Sequence, residues 1–198
     1  NFSGAFEILR SISSEELRVF NLKGKFEKDY MPALAKLKEK NLSFEKILDL
    51  IENAGRRAKE GKYDDAVARL YRSLEMIGQI EFEKEFNCST SDVKIENIPL
   101  ELTEEIKQKY FDFKDGKIKL PLYAAFDLLN KKENPAGTKF YNNFEKIKKV
   151  LHLRNNSILA HGMKALTENE FIAALELINL FTEEIIKSTD VITFPEIK

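Results

Sequence analysis

Arg154 and His161, at the two ends of the segment Arg154-Asn155-Asn156-Ser157-Ile158-Leu159-Ala160-His161, combine the two capacities that chemistry at a phosphate requires. An imidazole, with a reference pKa near about 6.5, exchanges protons at neutral pH. A guanidinium holds anionic oxygens as negative charge develops. Upstream, Phe140, Phe144, Ile147 and Leu151 recur at steps of four, three and four, which marks one inward face of a helix. Arg154, Ile158 and His161 continue that stripe, so charged groups stand where apolar ones are expected and need partners, solvent or an interface. On an unbroken helix the seven-residue step turns about 700°, leaving Arg154 and His161 roughly 20° apart in azimuth and about 10 Å apart along the axis. One copy would grip a phosphate loosely. Two copies at a two-fold axis would surround it with two arginines and two histidines. Asn155 could orient a substrate or the partner histidine, and Ser157 could donate a hydrogen bond, although a small serine in helix packing is the commoner role. Spacing alone is more often that of a histidine favoured by a helix C-terminus and an arginine in a salt bridge or lying along an apolar face.

The elements that must position this segment are helical. The 8 glycines and 5 prolines fall between stretches of helical period, which predicts an all-α fold of roughly seven to eight helices. The pattern places helices over 5–20, 26–40, 44–60, 64–85, 101–111, 121–131, 139–161 and 168–187. Residues 1–43 are expected to form a helical extension, 44–190 the main domain and 191–198 an extended tail. Gly61 ends the third helix, and Asp64 and Asp65 open the fourth at its positive dipole end. Thr167 and Glu170 form a capping box before the last long helix. Residues 87–99 are polar and aperiodic. Lys114-Asp115-Gly116-Lys117 is a hairpin-like turn between Phe113 and Ile118. Gly61 to Ala66 resembles the turn of a tetratricopeptide hairpin, but no second copy follows, so a solitary helical hairpin is the better reading.

Composition constrains the partners. With 32 Lys and Arg against 33 Asp and Glu, global charge does not point to a polyanion. Locally it does: residues 138–164 hold six basic residues and one acid, whereas 165–198 hold two basic residues and seven acids. Lys146, Lys148 and Lys149 read as a solvated face close to Arg154, with Lys149 a candidate phosphate guide. Arg69, Arg72 and Glu75 form a charge ladder on one helix, and Arg72 could also reach a substrate; Gln79, one turn further, shares that ambiguity. His152 points about 200° away from Arg154 on a helix and is set aside, and Phe140 and Tyr141 are expected in the core. One cysteine and two histidines supply no ligand set of zinc spacing, so no metal or cofactor is expected, in a reducing, cytoplasmic setting. The chain opens at Asn1 rather than Met, and a preceding domain is expected.

The segment from Arg154 to His161 resembles the HEPN signature, an arginine followed by a polar residue and, after a short spacer, a histidine. With Gly162 and the segment Ala68-Arg69-Leu70-Tyr71-Arg72-Ser73-Leu74-Glu75-Met76-Ile77-Gly78-Gln79, the chain is similar to the HEPN part of type III CRISPR-associated ribonucleases, in which a CARF domain precedes the HEPN domain. The resemblance implies a HEPN-like helical bundle and a homodimeric, metal-independent endoribonuclease for single-stranded RNA, with Arg154, His161 and Asn155 at a composite catalytic site. It further implies activation by cyclic oligoadenylate through a CARF domain absent from this chain. Such cleavage needs no metal when the adjacent 2′-hydroxyl is the nucleophile, because attack on the phosphate is then intramolecular. The competing reading is a catalytically silent helical dimerisation or interaction module, suggested by the balanced charge and the tetratricopeptide-like turn.

Overall fold

Apolar stripes at helical spacing cannot stay in water, and in the computed structural model they close on one another as an all-α bundle carrying a small antiparallel hairpin. The structure describes residues 7, 10–12, 28, 31–39, 42–157 and 163–188. Helix α1 (Met31–Lys38) is the part seen of the helix expected over 26–40. The helix expected over 5–20 and the tail over 191–198 lie almost entirely outside the described residues.

Helices α2 (Phe44–Lys59) and α3 (Tyr63–Phe86) form an antiparallel hairpin turned by Gly61, whose φ of 72° is the left-handed conformation that glycine adopts without strain. The 24-residue α3 is the axis of the molecule. Its buried residues, among them Val67, Leu70, Leu74, Ile77, Ile80 and Phe82, lie on all but one side. Asn87, at φ 49°, ends it. After a loop with one 3-10 turn come α4 (Leu100–Tyr110) and two short strands, β1 (Phe111–Asp112) and β2 (Lys117–Ile118), paired Phe111 to Ile118 and Asp112 to Lys117. That is the hairpin which Lys114 to Lys117 predicts. Helices α5 (Leu122–Lys131), α6 (Pro135–Asn142), α7 (Phe144–Asn155) and α8 (Glu168–Ser188) complete the bundle, and α2, α5, α6, α7 and α8 all pack on α3.

The helix expected over 139–161 is two helices, and the second stops at Asn155. Asn134 caps α6 by accepting from the Ala136 amide at 2.9 Å, with Pro135 in the first helical position, so that helix begins four residues early. Asn143 interrupts the axis, its side-chain amide donating to the Lys139 carbonyl at 2.9 Å. At the far end the Asn156 amide donates to the His152 carbonyl at 2.8 Å and the Ser157 hydroxyl to the Arg154 carbonyl at 2.9 Å. These side chains bond back to carbonyls of their own helices, and the His152 carbonyl also keeps the Asn156 backbone amide at 3.0 Å. The azimuth and rise reckoned for an unbroken helix therefore do not relate Arg154 to His161. Phe140 is core, stacked on Phe126 at 4.2 Å, whereas Tyr141 is 39% exposed and donates to Asp127 at 2.7 Å, so only the first of the two is a core ring.

The capping box before α8 forms as expected: the Thr167 amide donates to Glu170 at 2.8 Å and the Glu170 amide to the Thr167 hydroxyl at 3.4 Å. Phe171, Ile178 and Phe181 on α8 are buried against the core.

Gly137 allows α6 to lie directly on the end of α5, since a Cβ there would stand 2.3 Å from the Asn130 backbone nitrogen. Gly137→Ala is expected to lower stability by about 3 kcal/mol, because backbone must yield. Gly55→Ala, with open space around it inside α2, is expected to raise stability by up to about 1 kcal/mol. Urea denaturation of the two variants beside the parent checks both signs.

Candidate active site

Arg154 sits on the last turn of α7, and the packing of α7 against α3 brings it over Tyr71. Its guanidinium carbon lies 4.9 Å from the centroid of the Tyr71 ring, and its Nη1 donates to the Asn155 side-chain oxygen at 3.0 Å. Glu75, one turn along α3 from Tyr71, takes Arg72 at 3.3 Å. Burial, then the neighbouring Glu75 carboxylate and its charge, push the Tyr71 phenol up to about 12, while Arg154 pulls it the other way.

This arrangement distinguishes Arg154 from the other arginines of the site's surroundings. Arg57 and Arg69 share Asp65, at 2.9 and 3.1 Å, and Arg72 is held by Glu75. The partners of Arg154 among the described residues are an aromatic face and a neutral amide. A guanidinium held in that way keeps its positive charge available to an incoming anion.

The other residues expected at the site take varied positions. Asn155 is exposed and steadies Arg154. Ser157 is 3% exposed, with its hydroxyl bonded to the Arg154 carbonyl, so it closes the helix end. Lys149 is exposed on α7 beside Lys146 and Lys148, and Lys148 reaches Glu145 at 3.9 Å. Arg72 keeps 42% of its side chain in solvent on the face that carries Tyr71. His152 is exposed, with Nε2 3.0 Å from the Asn156 amide nitrogen, and is engaged there. His161, together with Ile158 and Gly162, lies outside the described residues.

The chain around that stretch is fixed on both sides. Ser157 and Lys164 pair as an isolated parallel bridge. Lys164 then binds Glu170 at 2.7 Å, and the Leu166 amide donates to Asp64 at the start of α3, 3.2 Å away.

A family model described as the Csm6 HEPN domain matches residues 35–185 of this chain. The chain belongs to the Csm6 HEPN domain family. No curated protein and no solved structure matches it significantly. The family is that of type III CRISPR-associated HEPN proteins, and membership is consistent with ribonuclease activity in general. Within this Csm6-type HEPN domain the two segments that carry the resemblance meet in space, since Tyr71 of the first lies beneath Arg154 of the second. Sequence reasoning did not single out Tyr71. Its only signal was its place in the segment 68–79, because a contact across some eighty residues leaves no trace in local periodicity.

The folded chain holds the Tyr71 proton more tightly than the unfolded chain, whose phenols titrate near 10. The associated stability is therefore fully present below about pH 10 and is lost as pH rises through about 12. Thermal melts of the parent are expected to fall over that interval, and Tyr71→Phe is expected to fall less steeply. Equal slopes would show that Tyr71 is not held in this way.

Proposed function

We propose that this Csm6-type HEPN domain is an endoribonuclease that cuts single-stranded RNA at a composite homodimer site, in CRISPR-associated defence. The observation that carries the reading is Arg154, presented from the end of α7 on an aromatic face with no carboxylate among its described partners. Two copies supply a proton acceptor and a proton donor. In the reaction one His161 takes the 2′-hydroxyl proton, the 2′-oxygen bonds to phosphorus, and the bond from phosphorus to the 5′-oxygen breaks. The second His161 protonates that leaving oxygen, while Arg154 of each copy holds the non-bridging oxygens. Asn155 keeps Arg154 in place, and Lys149 and Arg72 draw the strand in through its phosphates. The products are a 2′,3′-cyclic phosphate and a 5′-hydroxyl.

The pairing of copies draws support from Met163, which is 96% exposed immediately before Lys164. An apolar side chain left fully in water next to the site suits an isologous contact at the two-fold axis.

Labelled single-stranded RNA is expected to be cut by the purified chain in the presence of chelator. Arg154→Ala and His161→Ala each remove most of that cleavage, a loss of about a hundredfold or more, while circular dichroism stays that of the parent. A 2′-deoxy substitution blocks cutting at that position. Mass spectrometry showing free 3′-hydroxyl ends, or variants as active as the parent, would overturn the chemistry. Absence of cleavage across varied RNAs would favour a silent interaction module.

Sedimentation velocity is expected to show a dimer at micromolar concentration, and Met163→Glu to shift it toward monomer with a parallel loss of cleavage. A parent that sediments as a monomer would remove the composite site.

A further inference from the structure

Tyr123, in the first turn of α5, keeps 38% of its surface in water. Its ring meets Phe140 at 5.6 Å and Phe144 at 5.7 Å between centroids, edge to face in both pairs. Phe144 opens α7, and Lys148, one turn on, holds its ammonium 5.9 Å from the centroid of the Phe144 ring. Phe144, Lys148, Leu151 and Asn155 follow at steps of four, three and four. The flank of α7 that begins at this aromatic cluster therefore ends at the residue that steadies Arg154, roughly 16 Å along the axis. Tyr123 also stands close enough to Tyr71 for the two phenols to oppose each other's ionisation, and the Tyr71 ring is the one that carries Arg154. Glu145, the carboxylate near Tyr123, is met by Lys148 at 3.9 Å. The neighbouring Tyr141 is as exposed, but its hydroxyl is committed to Asp127, whereas the Tyr123 hydroxyl makes no hydrogen bond among the described residues. Rings left part-open beside lysine and arginine side chains are what a single-stranded nucleic acid needs, since bases stack on the rings and cations meet the phosphates.

We propose that Tyr123 stacks on a nucleobase of the RNA strand whose phosphate Arg154 holds, and that this strand follows the flank of α7 from Asn155 to Phe144 with Lys148 beside its backbone. The inference rests on the ribonuclease reading for the identity of the strand. Stacking uses the π face that every base possesses, so the contact tolerates any sequence. Its role is to hold the strand rather than to read it. A strand pinned by a base at Tyr123 and by a phosphate at Arg154 has less freedom left to lose when the 2′-oxygen approaches phosphorus.

The test is binding without cleavage. Oligo-A, fully 2′-O-methylated so that no nucleophile remains, is titrated into the intact chain beside an abasic oligomer of the same length and charge. By fluorescence anisotropy, Tyr123→Ala is expected to weaken oligo-A at least about fivefold, and Tyr123→Phe, which keeps the ring, by less than about twofold. Neither changes the binding of the abasic oligomer. The chain has no tryptophan, so Tyr123→Trp places a single indole at the contact. Oligo-A is expected to quench that indole and the abasic oligomer to leave it bright, a result that does not depend on how Tyr123→Ala folds. Equal binding of the two oligomers by the parent overturns the proposal. So does equal quenching by both, or a loss in Tyr123→Ala that is the same for both. A Tyr123→Ala chain that sediments as a monomer where the parent is a dimer would make this face a contact between copies and overturn the stacking site. Because no arm reads cleavage, a parent that cuts RNA and is indifferent to Tyr123 overturns this inference alone. Failure of Arg154→Ala and His161→Ala to abolish cleavage overturns the ribonuclease reading instead.

Discussion

The burial of α3 governs the rest of the molecule. Five helices pack on it, and leucine, isoleucine and phenylalanine side chains along it are withdrawn from water, each worth about 2 kcal/mol. A helix covered that thoroughly has little surface left for chemistry. In the middle of the helix the strip that escapes full burial runs through Ala68, Arg69, Tyr71, Arg72, Glu75 and Gln79, one side of the helix at steps of three and four. It is also the side to which Arg154 is delivered, so the covering helices both build the core and define the site by what they leave open.

The position of Arg154 follows from where α7 ends. Had the helix run on to His161, the arginine would be one member of a continuous inward stripe. It ends where Ser157 turns both its amide, at 3.2 Å, and its hydroxyl, at 2.9 Å, onto the Arg154 carbonyl, three residues back. The chain then leaves α7 at Ser157 and is held again at Lys164, beside it, before the capping box of α8 takes over. The same polar residues that make the motif look like a substrate-binding run, Asn155, Asn156 and Ser157, are thus spent largely on local architecture. One of them, Asn155, also steadies the guanidinium.

Sequence reading recovers what local physics determines. The turn at Gly61, the capping box of Thr167 and Glu170, the hairpin around Gly116 and the extents of α2, α3, α4, α5 and α8 are each set by residues within a turn of the feature, and each was legible. The break in the helix expected over 139–161 was not, because Phe140, Phe144 and Ile147 keep helical spacing across it. The Asn134-Pro135 start and the back-bonding side chain of Asn143 outweigh that spacing, and a periodicity argument gives them no weight. At the site, Arg154 was legible from its neighbours. Its seat on Tyr71 was not, since that contact depends on how α7 lies across α3.

The choice of an aromatic seat has an electrostatic logic. An arginine held by a carboxylate, as Arg57 and Arg69 are by Asp65, has its charge met before any ligand arrives, and a phosphate would have to compete for it. A ring face attracts the guanidinium by about 0.5–2 kcal/mol and fixes its plane without cancelling its charge. Glu75, the carboxylate beside the Tyr71 phenol, is paired with Arg72 and makes no ion pair with Arg154 among the described residues. The guanidinium is thereby ordered without a carboxylate among its described partners, which is the state that an anion-binding arginine would need before its ligand arrives.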